Sequence, residues 1–294
     1  MQFWKMNGAG NDFIIINNIE ETLSQEIFGE LAKLVCERHL SLGADGLMVV
    51  DKPQGNADYR MIFYNSDGSL GEMCGNGARC ISRYGYEKGL AGEIQKIETT
   101  AGIVIGERLA KDMYKIRLND PSTVILDYPV NLDGEIVNCS YVELGMPGIP
   151  HAVVPIKDLK TYPADELIKI GRKLRFHSAF PKGANVNFYE IIGHDHVYER
   201  TYERGVEDFT YACGTGTGST VTVLTELGLV SGNHVRVDMK GGTLYIDVIK
   251  NGEIFQDLYL TGPTNIVAIG ELTDSNLDLL LGGVTNESQV QICV

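Results

Sequence analysis

Apolar and polar residues alternate, or apolar residues run together briefly, over most of the chain; these are the patterns of half-buried and fully buried strands. Residues 2–6 and 13–17 read as strands joined by Asn7-Gly8-Ala9-Gly10-Asn11-Asp12, a link rich in turn formers. Residues 21–39 carry helical period, with Ile27, Leu31, Leu34 and Val35 on one face. Short strands follow at 47–50 and 59–64, and the second ends in the turn signal Asn65-Ser66-Asp67-Gly68-Ser69. A helical run then starts at Cys74, and strands continue to about Leu118. Past Asn119-Asp120-Pro121 the style repeats, with strands near 123–127, 136–144 and 151–156, a helix at 164–174, and strands at 185–192 and 196–203. A second helical run starts at Cys213, and its strands reach about Leu260. Thr261-Gly262-Pro263 reads as a hinge, after which 265–271 forms a strand able to return to the first domain.

The two helical runs open on related text. Met73-Cys74-Gly75-Asn76-Gly77-Ala78-Arg79-Cys80 and Ala212-Cys213-Gly214-Thr215-Gly216-Thr217 each place a cysteine before Gly-x-Gly. Leu90 lies 16 positions past Cys74 and Leu229 lies 16 past Cys213; Gly102 and Gly241 each lie 28 past. Self-similarity at this range points to duplication into two half-chain domains. The expected fold is α+β: two pseudo-symmetric domains, each a curled, mostly antiparallel sheet wrapped around a central helix. The expected division is 1–118 plus about 264–274 for the half with Cys74, 119–263 for the half with Cys213, and 275–294 as a tail without an assigned role. Two such halves packed face to face would set the two helix starts across one cleft.

Composition narrows the function. At 294 residues, 44% hydrophobic and 22% charged, the chain has the make-up of a globular protein with room for two domains. A net charge of −14 argues against nucleic acid or an anionic membrane as partner. The chain has no apolar run near the roughly 18 residues a bilayer span needs. Its first residues lack the basic-then-apolar signature of a secretion signal, so a cytoplasmic enzyme is expected. The six cysteines form no CxxC pair and no zinc-ligand spacing, so no metal site is expected. Cys36, Cys80, Cys139 and Cys293 read as buried apolar-like residues.

Cys74 and Cys213 read differently. At a helix start, backbone N–H groups point outward and the macrodipole favours negative charge, which lowers a thiol's pKa. The adjacent glycines let the backbone approach a ligand, so the same N–H groups can hold a carboxylate. A cysteine hydrolase or acyltransferase would use one such thiol with His151, and would leave the second motif idle. A dinucleotide site at Gly75-Asn76-Gly77 lacks its preceding apolar strand, and no lysine is marked for a Schiff base.

The ordered motifs resemble those of the diaminopimelate epimerase family, over about residues 1–273. They are Lys5-Met6-Asn7-Gly8-x-Gly10-Asn11-Asp12-Phe13, Asn65-x-Asp67-Gly68-Ser69, the two cysteine motifs, Asn185-Val186-Asn187-Phe188, and Tyr202-Glu203-Arg204-Gly205-Val206-Glu207. The family often has Gly-Asn-Pro-His where this chain has Gly148-Ile149-Pro150-His151, and some members carry Gln at Gly46.

The resemblance implies a cofactor-independent homodimer that epimerises a small amino-acid substrate, diaminopimelate, in lysine and peptidoglycan precursor synthesis. Catalysis needs a base on one face of the α-carbon and an acid on the other, which one thiolate and one thiol supply. Backbone N–H groups of Gly75, Asn76, Gly214 and Thr215 would hold the α-carboxylate as charge spreads into it. The resemblance makes Asn11, Asn65 and Asn185 ligand contacts, against a bland reading as caps and turns. It gives Glu203 the substrate ammonium and Arg204 the distal carboxylate, where a surface ion pair is the alternative. His151 either takes part directly, orients a cysteine, or satisfies a backbone carbonyl. A racemase of histidine, lanthionine or proline on the same scaffold is the nearest rival.

Overall fold

The computed structural model describes residues 1–71, 74–252, 254–274, 276, 277 and 280. Met73 of the first cysteine motif, Cys293 and nearly all of the expected 275–294 tail lie outside them. The chain divides into two compact units, Met1–Arg108 with Thr264–Val294, and Leu109–Pro263.

The first unit begins with antiparallel β1 (Gln2–Gly8) and β2 (Asn11–Asn17), followed by the short α1 (Asn18–Glu21) and α2 (Phe28–Cys36). β3 (Gly46–Asp51) then pairs parallel to β2, and β4 (Tyr59–Asn65) antiparallel to β3. α3 (Gly75–Glu87) leads to β5 (Ile94–Thr99), parallel to β4, and to β6 (Gly102–Arg108), antiparallel to β5.

The second unit adds β7 (Met113–Arg117), β8 (Pro121–Ile125) and a small hairpin of β9 (Val130–Leu132) with β10 (Glu135–Val137). Then the plan of the first unit recurs. Antiparallel β11 (Ser140–Leu144) and β12 (Ile149–Pro155) precede α4 (Ala164–Arg175). β13 (Asn185–Gly193) is parallel to β12, and β14 (His196–Glu203) is antiparallel to β13 and to the two-residue β15 (Asp208–Phe209). α5 (Gly214–Glu226) leads to β16 (Val235–Met239), parallel to β14, and β17 (Gly242–Asn251), antiparallel to β16. β18 (Ile254–Pro263) joins β17 to β7. β19 (Asn265–Glu271) then returns to the first unit and pairs antiparallel with β1. Each unit is therefore mostly antiparallel, with parallel pairs only where a helix crosses over.

α3 and α5 are enclosed. α3 is buried from Gly75 to Gly85 and touches β1, β2 and β6; α5 is buried from Gly214 to Leu224 except at Thr215 and touches strands from β8 to β18. A helix enclosed this way must be slim, which accounts for Gly77, Ala78, Ser82 and Gly85 in one and Gly216, Gly218 and Ser219 in the other. Buried hydroxyls bond back along the helix: Ser82 to the Ala78 carbonyl at 2.8 Å, Thr222 to the Gly218 carbonyl at 2.8 Å. α2 and α4 cover the opposite sheet faces, Phe28, Leu31 and Val35 packing with Ile14, Ile16 and Leu47, and Leu167 and Leu174 with Val154, Val186 and Phe188. Covered faces on both sides explain why strands such as β2 read as continuous apolar runs. Among the described residues no helix is long and apolar enough to cross a membrane.

Three expectations are corrected. The helix expected over 21–39 is shorter: α1 ends at Glu21, where Thr22 turns left-handed (φ 56°), Ser24 caps a separate 3-10 turn at Gln25–Ile27, and α2 covers only Phe28–Cys36. The strand at 136–144 is broken, since β10 folds back on β9 while β11 lies between β8 and β12. The units part near Leu109 instead of Asn119, because β7 pairs with β18.

Gly85 shows how closely the strands approach α3. A Cβ there would lie 2.5 Å from the Tyr59 hydroxyl, which is fully buried and donates to Gln95 Oε1 at 2.6 Å. Glycine to alanine inside a helix usually stabilises by about 0.5–1 kcal/mol. Here the overpacking cost of about 1–3 kcal/mol prevails, so Gly85→Ala is expected to lower the thermal midpoint. An unchanged or raised midpoint would show that Tyr59 gives way freely.

Candidate active site

Both sequence-marked cysteines sit one residue before their helix. Cys74 is the N-cap of α3 and Cys213 the N-cap of α5, each with extended backbone (φ −121° and −122°). Each carbonyl accepts the first intrahelical bond, from Ala78 N at 2.8 Å and Thr217 N at 2.9 Å. The next N–H groups, including those of Gly75, Asn76, Gly214 and Thr215, belong to the first turn, where no carbonyl of the helix can reach them.

Around Cys74 the polar groups form a short chain. Asn76, almost fully buried, donates to Asn11 Oδ1 at 2.6 Å and accepts from Arg79 Nη2 at 2.9 Å. Asn11 in turn donates to Asp45 Oδ2 at 3.1 Å, and Arg38 bridges Asp45 and Asp12 at 2.8 Å each. Asn11 and Asn76 are thus brought together by their side chains. Asn65 is exposed at the end of β4 and donates to Ser69 Oγ at 2.9 Å. Gly46 is pressed against Phe63, 2.4 Å from where a Cβ would stand, so this chain has no room for a longer side chain there without repacking.

Around Cys213 the set is larger. Its sulfur accepts from Gly216 N at 3.4 Å and lies 3.6 Å from Thr215 Oγ1. A Cβ on Gly216 would come within 2.3 Å of Asn187 Oδ1, so the glycine is required by close approach. The thiol does not follow the expectation of a lowered pKa. Burial pushes it well above its ordinary value and the carboxylates of Glu203 and Glu199 add to that, outweighing Thr215 and the Gly216 N–H. Glu203 ends β14, and the next residue, Arg204, is exposed; its backbone N–H donates to Asn185 Oδ1 at 2.8 Å and its Nη1 to the Lys182 carbonyl at 3.0 Å.

His151 is 0% exposed, and its Nδ1 lies 3.2 Å from Asn187 Nδ2. Burial, then the Arg204 charge, push its pKa down to about 3, so the ring is neutral and its proton belongs on Nε2. No hydrogen bond joins it to Cys213 among the described residues. Cys36, Cys80 and Cys139 are buried, with thiols pushed up to about 12 chiefly by desolvation. Among the described residues no cluster of three or more His, Cys, Asp or Glu is arranged to hold a metal.

Two polar residues escaped the sequence reading. Arg79, inside the first motif, is 0% exposed. Glu199, on β14, is 1% exposed; its Oε1 lies 3.2 Å from Thr217 Oγ1 and 3.3 Å from Thr201 Oγ1. A recess of about 80 Å³ beside it is lined by Thr201, Thr210, Ala212, Cys213 and Lys240 as well. The phase of the strand carried the signal, since Val197, Glu199 and Thr201 share the inward-facing positions.

A sequence model of the family described as diaminopimelate epimerase matches residues 3–116 and 144–267. The diaminopimelate epimerase of Aquifex aeolicus is 38% identical over 290 residues, covering 95% of this chain and 100% of its own. That of Acetivibrio thermocellus is 37% identical over 286 residues, covering 92% and 98%. Among solved structures, a probable proline racemase from Agrobacterium radiobacter K84 matches with a TM-score of 0.68 at 16% identity, covering 94% of each chain. A hydroxyproline epimerase from Agrobacterium vitis matches at 0.67 and 17%, covering 92% of this chain and 91% of that one. The structural likenesses bear on the fold alone. A sequence match that runs through both cysteine motifs, at this identity and over nearly the whole length, makes the chain a member of the diaminopimelate epimerase family and an isomerase.

Proposed function

We propose that this enzyme converts LL-diaminopimelate to the meso form by two-cysteine acid/base chemistry. The observation that carries this reading is the duplicated arrangement of a cysteine N-cap on an enclosed helix, one in each unit. Inverting an α-carbon requires proton removal on one face and delivery on the other, and two equivalent thiol sites match that need better than one. In one direction, one thiolate takes the α-proton and the opposite thiol gives its own; in the reverse direction the roles exchange. The first-turn N–H groups of α3 and α5 receive the α-carboxylate, where negative charge accumulates during proton transfer.

Substrate choice rests on Glu203 and Arg204. A carboxylate beside Cys213 suits the α-ammonium, and once that cation binds, Glu203 no longer opposes ionisation of the thiol. The exposed Arg204 guanidinium suits a second, distal carboxylate, as planar bidentate recognition favours arginine. Ile149, where the family often has Asn, is the half-buried first residue of β12, two positions before His151. This replacement keeps the histidine, lanthionine and proline alternatives as controls.

Assayed on LL-diaminopimelate in chelator with no cofactor added, the enzyme is expected to form the meso product. Cys74→Ala and Cys213→Ala should each lower the rate by about 10²-fold or more, the usual weight of a general acid or base. In D2O the epimerised product should carry deuterium at the α-carbon from the first turnover, while recovered substrate stays largely protiated. Near-normal epimerisation by either alanine variant would rule out the two-cysteine mechanism.

Arg204→Lys keeps the charge and loses the planar fork. A fall in kcat/KM on diaminopimelate of roughly tenfold or more is expected, with little change on an amino acid lacking a distal carboxylate. Faster turnover by the unmodified enzyme of histidine, lanthionine or proline than of diaminopimelate would reassign the substrate.

A further inference from the structure

Arg204 stands in the loop of a hairpin. Glu203 and Asp208 pair where β14 meets β15, and residues 204–207 connect them. Arg204, Gly205 and Val206 are exposed, and among the described residues no carboxylate forms an ion pair with Arg204. We propose that Arg175 and Glu207 are positioning residues that fix the Arg204 guanidinium in the substrate-free enzyme. The proposal rests on the reading of Arg204 as a carboxylate contact for its catalytic meaning, and its geometry lies wholly within the Leu109–Pro263 unit.

Glu207 closes the turn twice. Its backbone N–H donates to the Glu203 carbonyl at 2.8 Å, and its side-chain Oε1 accepts from the Gly205 N–H at 3.0 Å. The same Oε1 accepts from Arg175 Nε at 3.0 Å, which ties the turn to the last residue of α4. The Arg175 side chain is only 15% exposed, so this pair is less screened by solvent than one at the open surface. Glu207 holds a left-handed backbone, φ 59°, close to Gly205 at φ 92°. Side chains avoid that region, asparagine less than most, and a glutamate persists there only where its surroundings over-determine it. The two bonds to Oε1 are what a glutamate supplies at this position and a glycine or asparagine would not.

Arg175 also supports the second contact of Arg204. Arg204 Nη1 donates to the Lys182 carbonyl at 3.0 Å, while its backbone N–H donates to Asn185 Oδ1 at 2.8 Å. Gly183, next to Lys182, packs directly on the Arg175 guanidinium: a Cβ there would collide with Nη1, and its φ of 66° already favours glycine. Lys182 itself is fixed by Glu143, whose two carboxylate oxygens lie 3.0 and 2.8 Å from Nζ. The Arg175 guanidinium thus abuts both segments that orient Arg204, the turn carrying its backbone and the stretch carrying its acceptor carbonyl. A fork set in place before substrate arrives loses less freedom on binding, which is what positioning contributes.

The test is the mobility of Arg204 in the substrate-free enzyme, read from nitrogen relaxation of its side-chain Nε–H, the signal being assigned by its loss in Arg204→Lys. In the unmodified enzyme this group should be ordered, and in Arg175→Gln its order parameter should fall below about 0.6. Glu207→Asn should have the same effect. Asparagine suits the left-handed backbone and is too short to keep both bonds, so the thermal midpoint should hold while Arg204 loosens. A role in folding alone predicts the opposite, a lowered midpoint with Arg204 still ordered. Arg175→Lys keeps the charge and should restore part of the order. On diaminopimelate, Arg175→Gln should raise KM by roughly fivefold or more with a smaller change in kcat, and should cost little further in an Arg204→Lys background. A mobile Arg204 in the unmodified enzyme would overturn the proposal, as would one equally ordered in Arg175→Gln and Glu207→Asn, or additive losses in the double variant. If Arg175→Gln fails to fold, Glu207→Asn decides the matter. The relaxation measurement needs no turnover, so failure here is distinct from failure of the substrate reading.

Discussion

Everything in each unit depends on a helix that has to be dry on all sides and still begin at a polar point. The enclosed bodies of α3 and α5 leave their N-termini as the places where backbone N–H groups lack helical partners. A cysteine at the N-cap suits that position. Its sulfur is soft and tolerates apolar neighbours, accepts weakly from an N–H, as Cys213 does from Gly216, and ionises when a charge nearby invites it. The slim residues that let the strands close around each helix also bring the sheet's polar side chains near the sulfur, as the Gly216–Asn187 approach shows. Packing and chemistry therefore constrain the same few positions.

The scaffold repeats, but its buried polar content does not. The Cys74 unit carries Asn11, Asn76 and Arg79, a set that ends in a cation. The Cys213 unit carries His151, Asn187, Thr201, Glu199 and Thr217, a relay of donors and acceptors that runs from the histidine ring to the start of α5.

Much of this was legible in the sequence because it depended on spacing. The duplicated Cys-Gly-x-Gly segments, their equal distances to Leu90 and Leu229, and the apolar runs of β2 and β3 required only local pattern to be read. The break at Thr22 was hidden because helical period continues across it in Ile27 and Leu31, while the stop comes from backbone conformation. β7 was assigned to the first half because it follows β6 in the chain, whereas pairing with β18, far along the sequence, decides its place. Arg79 and Glu199 were passed over since charged residues are almost always exposed. Only the strand phase hinted at Glu199, and nothing on α3 marked Arg79 as buried, because polar residues such as Asn76, Ser82 and Arg83 surround it along the helix.

The pairing of β1 with β19 has a consequence for how the chain comes to be made. β1 leaves the ribosome long before its partner β19, which starts at Asn265. All of Leu109–Pro263 is contiguous and can collapse on its own while the amino-terminal sheet still has one open edge. That waiting edge holds Phe3 and Met6, both buried in the finished protein, so nascent chains stalled before residue 265 present an apolar strand with unpaired backbone. Late closure of this kind is slow, since the ends of a long loop must meet before the contacts reward it. Completion of the first unit's sheet thus waits on a seven-residue strand far in sequence from either thiol.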